Sequence, residues 1–266
     1  MNHKWNGLLN RGLKLIFLAA ALGANNPSTA QLQKIRVAAA ADLQPALPEI
    51  ADAYQKQTGT QIEAVYGSSG NIFAQIQNGA PFDVFFSADI EYPQKLADAG
   101  FVESGSSAVY ALGRIVLFMP ASAACKLQRE QWRCLQDSSV KKIAIANPQH
   151  APYGSAAVEA LKKAGIYEQL KTKLVYGENI SQAAQFVQSG NAQAGILAYS
   201  LATSAGLRGG QRWEIPPEFY PSIQQTVVVL KAAANRAAAH EFVNFVIRGP
   251  GRALLLQHDF LPPPIR

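Results

Sequence analysis

No run of 18 or more apolar residues occurs in the chain, so it has no stretch long enough to cross a bilayer as a single helix. Two cysteines in 266 residues are too few to hold a metal ion by themselves. HExxH, CxxC and Walker-type loops are all missing, and the histidines show no ligand spacing, which removes the usual local signatures of metalloproteases and nucleotide hydrolases. A GxSxG nucleophile elbow is missing too, because Gly67-Ser-Ser-Gly70 places its second glycine one position early. Charge is sparse at 16%, with no basic run or basic-aromatic patch, which excludes a nucleic-acid footprint. With 48% apolar residues the composition is that of an ordinary globular chain, long enough for one large domain or two smaller ones.

The excess of positive charge is partly local. Lys4, Arg11 and Lys14 precede the ten-residue apolar run Leu15 to Ala24, and without those three the net charge of +6 falls to +3. A basic start, a short apolar run, the polar Asn25-Asn26-Pro27 break and small residues at Ser28 and Ala30 predict a secretory signal over residues 1–30, cleaved before Gln31. No cysteine lies near that point to carry a lipid. The remaining chain is therefore expected to be exported, without membrane insertion after cleavage. Export also predicts that Cys125 and Cys134 are bridged around a polar excursion.

Short β-type runs alternate with helical patterns, which argues for parallel sheets covered by helices. Lys34 to Ala40 reads as the first strand, and Leu43 to Thr58 as a helix ended by Gly59. Strands over 61–66 and 83–87 and helices over 71–78 and 90–99 follow, with glycine after each helix. Val109 to Met119 reads as one long β-run, after which the pattern restarts with strands at 142–146, 173–176 and 194–198 and helices at 155–164, 180–189 and 200–205. After a proline-rich break, a strand at 226–231 and helices over 235–246 and 250–257 close the chain. The fold class is α/β, with two doubly wound lobes joined by two β-like crossings. Lobe 1 comprises residues 31–114 plus 226–266 and lobe 2 residues 115–225.

Four strand-to-helix junctions carry small or hydroxyl residues at a helix start: Ala41-Asp42, Ser68-Ser69-Gly70, Pro152-Tyr153-Gly154 and Asn179-Ile180-Ser181. Helix N-termini present unpaired N–H groups and the positive end of the dipole, and ligands of open α/β sheets sit at strand carboxyl ends. Two junctions per lobe predict an anion site in the cleft. A reading from a different class also stands, a secreted hydrolase with Ser69 as nucleophile and His150 as base.

Val37-Ala-Ala-Ala-Ala-Asp-Leu43, Tyr66-Gly-Ser-Ser-Gly-Asn71, Gln75 to Pro81, Asp83-Val-Phe-Phe-Ser-Ala-Asp89, Asn147 to Gly154 and Gly249-Pro250 together resemble the periplasmic molybdate-binding proteins of ABC importers. The resemblance covers nearly all of the chain after residue 30, in order. It implies a type II periplasmic-binding-protein clamshell that is not an enzyme, needs no cofactor, and acts as a monomer. It further implies capture of molybdate or tungstate by neutral hydrogen-bond donors and delivery to a membrane permease; sulfate or phosphate is the alternative cargo. Carried over position by position, it implies ligand binding at Asp42, Ser69 through hydroxyl and N–H, and Tyr153 and Ile180 through N–H, with no direct metal-ion ligands.

This sequence departs from the family pattern twice. Asp42 stands where many members have Ser, and Ala198, followed by Tyr199, where some have a Tyr hydroxyl. Asp42 is expected to cap its own helix and leave the N–H groups of 42 and 43 to the ligand. A competing role is to accept a proton from a protonated oxyanion. The Tyr153 phenol is expected to contribute almost nothing.

Overall fold

The computed structural model describes residues 33–263; the expected signal sequence and its expected cleavage point lie outside the described residues. In chain order the first half runs β1 (Lys34–Ala40), α1 (Leu47–Thr58), β2 (Gln61–Gly67), α2 (Ser69–Gln77), β3 (Val84–Ser87), α3 (Glu91–Asp98) and β4 (Ala108–Gly113). It continues through β5 (Ile115–Met119), α4 (Leu127–Glu130), β6 (Ile143–Ala146), α5 (Pro152–Lys163), α6 (Tyr167–Leu170), β7 (Leu174–Gly177), α7 (Ile180–Gln188), β8 (Ala194–Ala198), α8 (Tyr199–Ala202) and β9 (Gln211–Glu214). The last elements are β10 (Ile223–Val229), α9 (Arg236–Ile247) and α10 (Pro250–Gln257). Among the described residues no helix is long and apolar enough to cross a membrane.

Two five-stranded sheets result, in the orders β2-β1-β3-β10-β4 and β7-β6-β8-β5-β9. In each, three strands run parallel and the fourth in spatial order is antiparallel, β10 against β3 and β5 against β8. Parallel strands covered on both faces must be apolar throughout, and β3, β6 and β8 are buried along their whole length. The chain changes sheets at Arg114, between β4 and β5, and again within residues 215–222. The run 109–119, expected as one strand, is therefore two strands in different sheets. The strand expected from 226 begins at Ile223, which pairs with Gly113. Strand β9, Gln-Arg-Trp-Glu, escaped the sequence reading because as a polar edge strand it lacks an alternating apolar face.

The helix expected from Leu43 divides. Ala41–Leu43 forms one 3-10 turn and α1 starts at Leu47. Pro45 and Pro48 are the cause: neither has an N–H, so the Ala41 and Gln44 carbonyls lack a donor four residues on and the chain cannot run on as one α-helix, whereas in the first turn of α1 the missing N–H of Pro48 costs nothing. Gly59 closes α1 at φ 74°, a left-handed position that glycine fills without strain. The C-terminal helices return to the first sheet, where Phe242 and Phe245 of α9 pack edge-on against Tyr54 of α1 at ring separations of 5.0 and 5.2 Å.

Cys125 and Cys134 are bridged, with their Cα atoms 5.6 Å apart. A loop of this size contributes about 2 to 3 kcal/mol by the chain-entropy estimate.

Candidate functional site

The carboxyl ends of β1, β2 and β3 meet those of β6 and β7 around a small cavity. Its wall includes Ala41, Asp42, Ser68, Ser69, Tyr153 and Ile180, so all four junctions contribute to one site. No Lys, Arg or His lines it. The starts of α2, α5 and α7 supply backbone N–H groups and dipole ends instead. Ser68 caps α2 by accepting from the Asn71 N–H at 3.3 Å, and Asn179 caps α7 by accepting from Gln182 N–H at 3.0 Å. No side chain caps α5, which opens on Pro152. Ser69 is fully buried; its Oγ accepts from the Ala88 N–H at 2.9 Å, which fixes the rotamer and leaves the hydroxyl proton to donate.

Asp42 departs from its expected role. The cap position of its 3-10 turn is Ala40, no side chain caps that turn, and the Asp42 carboxylate is wholly buried in the cavity wall. Its Oδ2 accepts from the Tyr153 hydroxyl at 2.9 Å and from the Gln225 amide, while Oδ1 makes no hydrogen bond. Gln225 also donates to the Tyr153 oxygen at 2.9 Å and accepts from Tyr110. Helix capping loses because a carboxylate buried among apolar strands needs donors, and Tyr153 and Gln225 provide two.

Burial pushes the Asp42 carboxyl up to about 6, against the lowering pull of the Gln225 and Tyr153 hydrogen bonds and its own backbone amide. Its folded value lies above the unfolded one, so the native chain holds the proton more tightly between about pH 4 and 6. Stability from this group is therefore withdrawn as pH rises through that window. The Tyr110 and Tyr153 phenols are pushed well above 10, mainly by burial and then by the Asp42 charge, so both remain donors. A dianion beside an ionised Asp42 meets strong repulsion: two unit charges 4 Å apart interact by about 4 kcal/mol at an effective dielectric of 20.

Around the cavity the lobes are in direct contact. The Gly70 N–H donates to the His150 carbonyl at 2.9 Å, Ser181 Oγ donates to Gln44 Oε1 at 2.5 Å, and Ser200 Oγ donates to the Asp42 carbonyl at 2.9 Å. The His150 ring lies 2.8 Å from Ser68 Oγ and 3.7 Å from Glu178. Ser69 has no histidine partner, and the hydroxyl that does, Ser68, is buried and caps α2. The Ser69–His150 pair of the hydrolase reading is therefore not formed. At the crossing, Arg114 lies over the Tyr199 ring at 4.0 Å, pairs with Glu214 at 3.1 Å and donates to the Asp259 carbonyl at 2.8 Å. Tyr199 thus serves the crossing, and neither it nor Ala198 lines the cavity.

Gln225 and Tyr110 went unnoticed in the sequence. The available signal was a glutamine two residues from both Ile223 and Val227, on the face those residues share in an alternating strand, though Gln224 and Thr226 beside it blunt that signal.

Two doubly wound lobes joined by two crossings, with a small cavity made of helix starts from both, define a solute-binding protein. Residues 35–261 match the family of bacterial extracellular solute-binding proteins, and the chain belongs to that family. It is 40% identical over 235 residues to molybdate-binding protein ModA of Azotobacter vinelandii, covering 88% of this chain and 92% of the relative. The corresponding Rhodobacter capsulatus protein is 37% identical over 229 residues, covering 86% and 88%. Among solved structures, the Azotobacter vinelandii periplasmic molybdate-binding protein superposes with a TM-score of 0.80 at 33% identity, covering 86% of this chain and 100% of that one.

Proposed function

We propose that this chain is a periplasmic solute-binding protein that captures molybdate or tungstate between its lobes and hands it to the permease of an ABC importer. The observation that carries this reading is the cavity itself: small, shared by both lobes, free of cationic side chains and ringed by helix starts. Neutral donors of this kind suit a dianion that must be held tightly and then released. The molybdate-binding names of relatives at 40% and 37% identity support the cargo. The expected leader over residues 1–30 and the disulfide support export. In this reading the ligand is held by Ser69 through hydroxyl and N–H and by the N–H groups of Asp42, Tyr153 and Ile180. The protein acts as a monomer without catalysis or cofactor. The lobes that close on the ligand are residues 31–114 plus 226–266 and residues 115–225, with the boundary drawn back to Ile223, where β10 joins the first sheet.

Molybdate and tungstate are expected to raise the melting temperature alike, since a ligand at 100 times its dissociation constant adds about 2.7 kcal/mol. Sulfate should stabilise much less, because its shorter bonds leave stretched hydrogen bonds in a cavity closed around the larger ion. Unchanged melting in millimolar molybdate, or an equal shift with sulfate, would contradict the assignment.

Ser69→Ala is expected to weaken molybdate binding by about 1.5 to 3 kcal/mol, the range for a hydrogen bond to a charged group. It should also lower the stability of the free protein by about 1 to 3 kcal/mol, because the buried Ala88 N–H loses its acceptor. Calorimetry and thermal melts of one variant measure both.

A further inference from the structure

We propose that ligand capture takes up one proton, held on Asp42 Oδ1, which turns a repelling carboxylate into a hydrogen-bond donor to the oxyanion. This rests on the cargo being a dianion, as proposed above, and adds a residue and a proton to that reading.

Geometry selects the oxygen. Oδ2 already accepts from Tyr153 and Gln225, whereas Oδ1 is buried without a partner on a residue of the cavity wall. A proton on Oδ1 leaves both existing hydrogen bonds intact and satisfies the orphaned atom once an oxyanion oxygen stands opposite it. The groups packed around the carboxylate offer no other proton and no compensating charge. They are the neutral phenols of Tyr153 on α5 and, through Gln225 of β10, Tyr110 on β4; Ser200 of α8 binds only the Asp42 carbonyl. No Lys, Arg or His lines the cavity. Asp42 is the only carboxylate in its wall.

The step balances without covalent change to the ligand: one dianion and one proton from solvent enter, and one O–H bond forms on Asp42. With the lobes in contact, burial outweighs the lowering hydrogen bonds of Gln225 and Tyr153 and raises the carboxyl to about 6, and a neighbouring dianion raises it further. Between those two values the free site is ionised and the loaded site protonated. Affinity for a dianion therefore falls about tenfold for each pH unit above pH 6, until the loaded site also begins to lose its proton. The dependence flattens only at lower pH, where the free carboxyl is itself protonated.

Calorimetry with sodium molybdate at pH 7.5, in two buffers of different ionisation enthalpy, reads the proton directly. About one proton taken up per molybdate is expected, with a roughly tenfold loss of affinity between pH 7 and pH 8. Asp42→Asn should show no uptake, a flat pH profile and tighter binding than the parent at pH 8. Heat independent of buffer and affinity independent of pH in the unsubstituted protein would overturn the proposal, as would uptake that persists in Asp42→Asn. The two-buffer comparison on the unsubstituted protein decides the matter alone if the variant does not fold. No heat and no melting shift with molybdate would instead refute the cargo reading, and the proton proposal with it.

Discussion

Tyr153→Phe is expected to weaken molybdate binding roughly ten- to hundredfold, although the sequence suggests that only its backbone matters. The phenol reaches from α5 into the opposite lobe, where it donates to Asp42 and receives the Gln225 amide. Gly113 makes the room: a Cβ there would collide with the Tyr153 oxygen and approach the Gln225 amide to 2.9 Å. Asp42 follows β1 and Tyr153 follows β6, strands of different sheets, so the bond forms only when the lobes meet and its loss disfavours closure. Removing the hydroxyl leaves buried groups without their hydrogen-bond partner, which costs about 1 to 3 kcal/mol, and about 1.4 kcal/mol is tenfold in affinity. Titration calorimetry measures the change. Unchanged affinity would mean that the phenol does not join the lobes around a ligand.

Gly70→Ala should be the second strong lesion, for a steric reason. Gly70 begins α2 in one lobe and donates its N–H to the His150 carbonyl of the other. A Cβ at position 70 would stand 2.8 Å from that carbonyl oxygen and 2.5 Å from the Tyr92 hydroxyl. The Tyr92 ring is partly exposed and can swing aside, whereas the carbonyl is fixed in the loop before α5. Overpacking of this kind costs about 1 to 3 kcal/mol, so affinity should fall between roughly fivefold and a hundredfold. The contact crosses the lobes, so the melting temperature without ligand should change little. Wild-type affinity in Gly70→Ala would contradict the closed contact as the ligand-holding arrangement.

The scaffold was largely legible because its signals are local. β1 spans Lys34–Ala40 as read, and the glycines after the helices stand at left-handed φ, 74° at Gly59, 83° at Gly79 and 82° at Gly100. All four junctions were legible, three of them as α-helix starts while Ala41-Asp42 opens a 3-10 turn, and the cavity gathers them. Misreadings arose where two effects overlap. Residues 109–119 look continuous because a single arginine separates two apolar strands, and nothing local says that the sheets part there. The start of α1 moved because two prolines without N–H groups overrode apolar spacing. Asp42 was misread for a deeper reason: capping preference is local, while its real partners lie 111 and 183 residues away in the chain. Only the fold brings Tyr153 and Gln225 to it, and burial then makes those donors necessary.

Crystals of the protein grown with tungstate offer the most direct test of the central claim, because the tungsten anomalous signal locates the ion without reference to any assumed contact. The account predicts a single strong peak between the lobes, with oxygens within hydrogen-bonding distance of Ser69 Oγ and the N–H groups of Asp42, Tyr153 and Ile180. A peak elsewhere, or none at a tungstate concentration that raises the melting temperature, would contradict it.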